Sequence, residues 1–128
     1  MAPWPRPVRL ALAPEPVDDG DAFLYHKTTR RGVYERARAE RPGADDVVLW
    51  NARGEITETC VANIAFRDGE EWVTPPLSSG LLPGVFRRHL LETGRLREGV
   101  VLKEALGTDT ETAVFNSVRG WASAEWGA

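Results

Sequence analysis

The stretch from residue 46 to residue 76, DVVLWNARGEITETCVANIAFRDGEEWVTPP, constrains the fold more than any other part of the chain. Short apolar runs alternate in it with small polar clusters that cannot continue a regular element. Val47 to Trp50 is continuous enough for a buried strand, and Asn51 to Gly54 carries the asparagine and glycine of a tight turn. GEITETCVANIAF then reads as the hairpin partner, RDGEE as the next turn and EWVTPPL as a further strand. That strand stops at Pro75 and Pro76, because neither can donate to a ladder. The expected product is an antiparallel meander.

The period changes in SSGLLPGVFRRHLLETG. Pro83 fits the first turn of a helix, Val85, Leu90 and Leu91 give it an apolar face, and Gly94 ends it. Nearer the N-terminus, Val8 to Ala13 predicts a short strand, PEPVDDGD a turn-rich connection, and Ala22 to Tyr25 a second apolar run. Thr28 or Thr29 caps a weakly amphipathic helix bearing Val33, Tyr34 and Ala37, which stops before Pro42 and Gly43. In the last third, strand candidates at 100–102 and 112–115 flank a short helical or irregular piece at 103–107, and NSVRG follows as a polar turn. Residues 1–7 carry three prolines and read as an extended arm, with residues 8–128 as one domain. Hairpin strands with two interposed helices define an α+β fold rather than regularly alternating βαβ units.

Charge and cysteine content exclude several roles. The 19 acidic and 16 basic side chains are spread along the chain for a net charge of -3, so no cation-dominated surface is offered to a nucleic acid. A single cysteine, Cys60, makes no internal disulfide. No signal peptide or membrane span is evident, and the expectation is a cytoplasmic protein without a membrane partner.

Three segments could carry chemistry. Lys27 follows the apolar run and opens a basic helical turn; a lysine acts as a covalent nucleophile only when neutral, and neighbouring His26, Arg30 and Arg31 would favour the neutral amine. Read alone, it is more simply a solvated cation. Glu58 alternates with Ile56 and Cys60 on the predicted strand, and a carboxylate turned inward needs a partner; a surface acid is the plainer reading. Cys60 on the same side reads as a small buried hydrophobe, and Asn63 as a turn or ligand residue. LLPGVFRR exposes unpaired amides at a helix start, with Gly84 allowing close approach, which suits a phosphate. NSVRG, with Ser117, is a second small-residue turn that could meet the same anion. Each of these is also what an ordinary capped helix or turn would show.

In combination and order, HKTTRR with Tyr34, DDVVLWN, GEITETCVAN, TPPLSSGLLPGVFR and NSVRG resemble the class IV (fold type IV) pyridoxal-phosphate enzymes over residues 8 to 126. The resemblance is to their larger C-terminal domain, the D-amino-acid aminotransferase-like fold. Within the family it is most similar to the 4-amino-4-deoxychorismate lyase domains fused to aminodeoxychorismate synthase.

That resemblance implies pyridoxal 5'-phosphate as cofactor. It makes Lys27 the amine that bonds to the cofactor aldehyde and moves protons, and Glu58 the acid facing the pyridine nitrogen. Gly84, Val85 and Phe86 become the helix start for the phosphate, and Ser117 and Val118 the second phosphate turn. Tyr34 is implied near the ring, and Asn63 ends the glutamate segment. Many relatives have threonine at the position of Phe86, which here leaves backbone amides to make the contact. The implied reaction is release of pyruvate from aminodeoxychorismate to give 4-aminobenzoate. The alternatives are an aminotransferase acting on an amino acid, or a non-catalytic binding or dimerisation module. Family members carry a lobe before the lysine strand, on the order of one hundred residues. The partner expected here is a second copy in a homodimer, a complementing lobe or a synthase chain.

Overall fold

The computed structural model describes residue 4 and residues 7–17, 27–107 and 109–127, with backbone alone at 27–31 and 33. The arm expected at residues 1–7 and the apolar run at 22–25 fall largely or wholly outside the described residues. Eight strands form one sheet: β1 (Val8–Leu12), β2 (Asp46–Trp50), β3 (Ile56–Thr59), β4 (Asn63–Asp68), β5 (Glu71–Thr74), β6 (Arg97–Glu98), β7 (Thr112–Asn116) and β8 (Gly120–Trp126). Their order across the sheet is β3-β2-β1-β8-β7-β4-β5-β6. Two α-helices accompany it, α1 (Lys27–Ala39) and α2 (Val85–Glu92).

The meander is present in the antiparallel pairs β2–β3, β4–β5, β4–β7 and β7–β8. The sheet is nevertheless mixed, because β1 runs parallel to both β2 and β8, and β6 runs parallel to β5. Strand residues alternate between two environments, as the pleat requires. Val47 and Leu49 of β2 pack with Ala37 and Tyr34 of α1, while Val48 turns to the opposite face. On β4 and β7, Ala65 and Phe115 meet Leu90 of α2, while Ile64, Phe66 and Val114 turn away from it.

That opposite face forms a single cluster to which β1, β2, β3, β4, β7 and β8 all contribute. Ile56 of β3 and Ile64 of β4 both belong to it, although five strand spacings separate them in the sheet order. In a flat sheet that separation would be roughly 24 Å. The sheet must therefore curl until its β3 edge returns towards β4, and the short turn between those strands closes the curl, with the Thr59 amide donating to the Ala62 carbonyl at 2.9 Å.

Several elements differ from the sequence reading. GEITETCVANIAF is two strands rather than one, because Thr59 Oγ1 accepts from the amides of Val61 and Ala62 at 3.3 and 2.8 Å and holds a turn there. The segment at 100–102 contributes only an isolated bridge from Leu102 to Glu55, and it shields the β3 edge through the Ile56 amide, which donates to the Val101 carbonyl at 2.7 Å. α2 begins at Val85, after an extended Gly84, rather than at Pro83. β8 was not expected at all; GWASAEW is dominated by small residues with weak strand preference, and its place is fixed by pairing with β7 and β1.

Two features fix the loops that lead into α2. Asn51 Nδ2 donates to the Ser79 carbonyl at 2.9 Å and Ser79 Oγ to Glu55 Oε1 at 3.1 Å, which pins the 77–80 turn against the NARG turn. The hydrogen bond from Asn51 is the main cause holding the Glu55 carboxyl below its usual range. Arg87, only 4% exposed, reaches back from α2 to the Pro75 carbonyl at 3.1 Å and to Glu98 of β6 at 2.5 Å. A guanidinium buried this far has to be paired.

Candidate functional site

A cavity of about 460 Å³ opens where α1, the β3–β4 turn, the start of α2 and the end of β7 converge. Its size is in the range of small-molecule and cofactor sites. Six of the residues singled out from the sequence line it: Tyr34, Glu58, Asn63, Gly84, Phe86 and Ser117. Val85 and Val118 do not. They sit beside lining residues with side chains 78% and 67% exposed. The ninth, Lys27, is the first residue of α1; its side chain lies outside the described residues. Seven residues are close to two helical turns, so the backbones of Lys27 and Tyr34 stand on one face of α1, roughly 10 Å apart along its axis.

Glu58 is the buried acid of the cavity, 4% exposed. The Tyr34 hydroxyl donates to its Oε2 at 3.2 Å and the Leu82 amide to its Oε1 at 3.4 Å, so both oxygens accept a hydrogen bond. Strand alternation left Glu58 open to an inward place with a surface acid as the plainer reading; the structure buries it together with the other three residues of β3, whose edge the 100–102 segment covers.

Asn63 braces the loop that leads into α2. Its Nδ2 donates to the Leu82 carbonyl at 3.3 Å, and its Oδ1 stands so near Gly84 that a Cβ there would lie 2.6 Å away. A Cβ there would have to push the Asn63 amide aside, and glycine leaves the helix start bare of side chain. Gly84 makes no side-chain cap, and the first amides of α2 have no intrahelical acceptor. Phe86 lines the cavity and packs edge-on against Phe115, with ring centroids 6.1 Å apart.

The turn after β7 is arranged differently. Asn116 Oδ1 accepts from the amides of Val118 and Arg119 at 3.1 and 2.7 Å, and its Nδ2 donates to the Val61 carbonyl at 3.0 Å. Asn116 lines the cavity, and sequence reasoning passed over it; an asparagine opening a small-residue turn was the available signal. Cys60 also lines the cavity, but burial, and next the Asp46 carboxylate, push its thiol up to about 12, so it is a protonated wall residue rather than a nucleophile. Asp46, itself raised above its ordinary value by burial, accepts from the Cys60 amide at 3.2 Å.

The donor set suits pyridoxal phosphate. A buried carboxylate stands in the same cavity as a side-chain-free helix start and a serine turn, which are the partners for a protonated ring nitrogen and for a phosphate. An eight-stranded mixed, curled sheet with two helices is the C-terminal domain fold of the class IV aminotransferases. The family model for amino-transferase class IV matches residues 1–125, and the chain belongs to that family. Its members are pyridoxal-phosphate dependent.

Among similar proteins, one from Schizosaccharomyces pombe that carries the provisional name aminodeoxychorismate lyase is 38% identical over 88% of this chain and 52% of its own length. The aminodeoxychorismate lyase of Saccharomyces cerevisiae is 28% identical over 87% of this chain and 35% of its own. A solved structure from Mesorhizobium loti, provisionally named an amino-acid aminotransferase, is 36% identical and superposes with a TM-score of 0.86, covering 98% of this chain and 65% of that one. The chain thus spans about half the length, or less, of these curated lyases. Among the described residues no helix is long and apolar enough to cross a membrane, and no group of three histidine, cysteine or acidic side chains could hold a metal ion.

Proposed function

We propose that the cavity holds pyridoxal 5'-phosphate and serves an aminodeoxychorismate lyase, which converts 4-amino-4-deoxychorismate to 4-aminobenzoate and pyruvate. The observation that carries the reading is Glu58, buried in the cavity and accepting from Tyr34 and Leu82, in the same space as the bare helix start at Gly84. When bound, the cofactor supplies an electron sink for the carbon from which a proton is removed. Glu58 keeps the ring nitrogen protonated, with Tyr34 holding the carboxylate in place. The amides at Gly84, Val85 and Phe86 would hold the phosphate together with Ser117 and its neighbour Val118. Lys27 would supply the amine that holds the cofactor and moves a proton at the substrate carbon. Asn63 keeps the helix start in position.

The lyase reading is supported by the names of the curated relatives. An aminotransferase is the second reading, supported by the name of the solved structure at 36% identity. Residues 8–128 act as one domain on this reading. The exposed side chains of Val61, Val85 and Val118 beside the cavity support a covering partner there, either a second copy, a complementing lobe or a synthase chain.

Titration with pyridoxal phosphate is expected to raise a visible absorbance band that Lys27→Ala abolishes. Addition of 4-amino-4-deoxychorismate should then yield 4-aminobenzoate and pyruvate in equal amounts. Exchange of an amino acid for its keto acid, without 4-aminobenzoate, would establish the aminotransferase instead. No band at saturating cofactor would leave the chain a non-catalytic module.

A further inference from the structure

Asn116 touches both of the turns that border the cavity, and nothing in the catalytic reading gives it a task. Its Nδ2 donates to the Val61 carbonyl, in the β3–β4 turn, at 3.0 Å. Its Oδ1 accepts from the amides of Val118 and Arg119, in the turn after β7, at 3.1 and 2.7 Å. These partners set the orientation of the side-chain amide, because a flip would face the NH₂ group to two N–H donors and the oxygen to a carbonyl. The first turn is itself anchored. Thr59 Oγ1 accepts from the Ala62 amide at 2.8 Å, and Asp46 of β2 accepts from the Cys60 amide at 3.2 Å. A continuous line of hydrogen bonds therefore runs from β2 through the β3–β4 turn to the end of β7.

The consequence for an anion is specific. With the amides of Val118 and Arg119 engaged by Asn116, the donors that remain at the cavity from this turn are those of Ser117, which is exposed and lines it. We propose that Asn116 is a positioning residue for the phosphate end of the ligand: it locks the second turn to the first and confines anion recognition there to Ser117. The inference rests on the pyridoxal-phosphate reading and gives that reading a further residue. Aspartate at 116 would keep the acceptor for the two amides, lose the donor to Val61, and set a negative charge beside the phosphate. Serine would keep a short acceptor for the turn and add no charge.

The test compares dissociation constants for pyridoxal phosphate and for pyridoxal, which lacks the phosphate, in the parent chain, Asn116→Asp and Asn116→Ser. Thermal melts are recorded alongside. Asn116→Asp is expected to reduce the preference for the phosphorylated compound by about tenfold or more. Asn116→Ser, which loses the donor to Val61 without adding charge, should reduce it by about fivefold. An unchanged preference in Asn116→Asp overturns the proposal, as does equal collapse of both variants in step with lost melting temperature. An unchanged preference in a folded Asn116→Ser overturns it equally, because added charge alone would then account for the aspartate variant. A parent chain that binds neither compound would instead bring down the cofactor reading, and this one with it.

Discussion

Two backbone segments line the cavity, and they are prepared in opposite ways. At the start of α2 the amides are open because Gly84 has no side chain to fill the space beside Asn63. In the turn after β7, two of the amides are already engaged by Asn116. The helix start also carries the favourable end of the α2 dipole, whereas the turn has one residue with donors to give. The difference assigns the two segments unequal parts: the first supplies most of the attraction for an anion, and the second limits where it can sit.

The largest effect expected from breaking this arrangement is at Gly84. In Gly84→Ala the new Cβ displaces Asn63, whose Nδ2 is bonded to the Leu82 carbonyl. Pyridoxal phosphate affinity, followed by absorbance titration, should fall about thirtyfold, or ~2 kcal/mol. Parental affinity in that variant would remove the helix start from its leading role. Ser117→Ala should cost less, about fivefold or ~1 kcal/mol in the same titration, as for one lost hydrogen bond. If the serine change proved the more damaging of the two, the ranking of the segments would be reversed.

A separate effect concerns the tied β3–β4 turn and is read as stability against pH. Burial, and secondly Asp46, raise the Cys60 thiol from an ordinary 9.0 to about 12. The folded state therefore keeps a proton that the unfolded chain gives up. The contribution of Cys60 to stability is complete below pH 9.0 and is lost as pH rises towards about 12. Urea midpoints should decline across that interval, and Cys60→Ala should flatten the decline. The same slope in both proteins would show that the thiol is not held in the wall as described.

How much of this was legible in the sequence depended on how local the cause was. The tight turn at Asn51 to Gly54, the stop at Pro75 and Pro76, and the packing of Leu90 and Leu91 of α2 are each decided by a few consecutive residues and are found in the fold, whereas Val85, read into the same helix face, is 78% exposed. The parallel pairing of β1 with both β2 and β8 is set by partners more than 30 residues away, so no local pattern announces it. The break after Thr59 was hidden because ETCVANI keeps enough apolar residues to read as a continuing strand, while the hydroxyl that closes the turn looks like any strand threonine. In the site, periodicity alone left Glu58 open to an inward place. Its meeting with Tyr34 and Leu82 needed the coordinates. Asn116 was missed because its work is done by both ends of one side chain on two turns distant in sequence.

The aromatic side chains beside the cavity have an optical consequence. Phe86, in the wall, leans edge-on against Phe115, whose ring lies 5.4 Å from and nearly parallel to that of Trp121; Trp121 in turn meets Trp72 at 5.0 Å. A light-absorbing guest against Phe86 would thus lie three ring contacts from one indole and four from a second. Dimming of their native emission would then give an unlabelled reporter of occupancy, usable even for variants that turn nothing over.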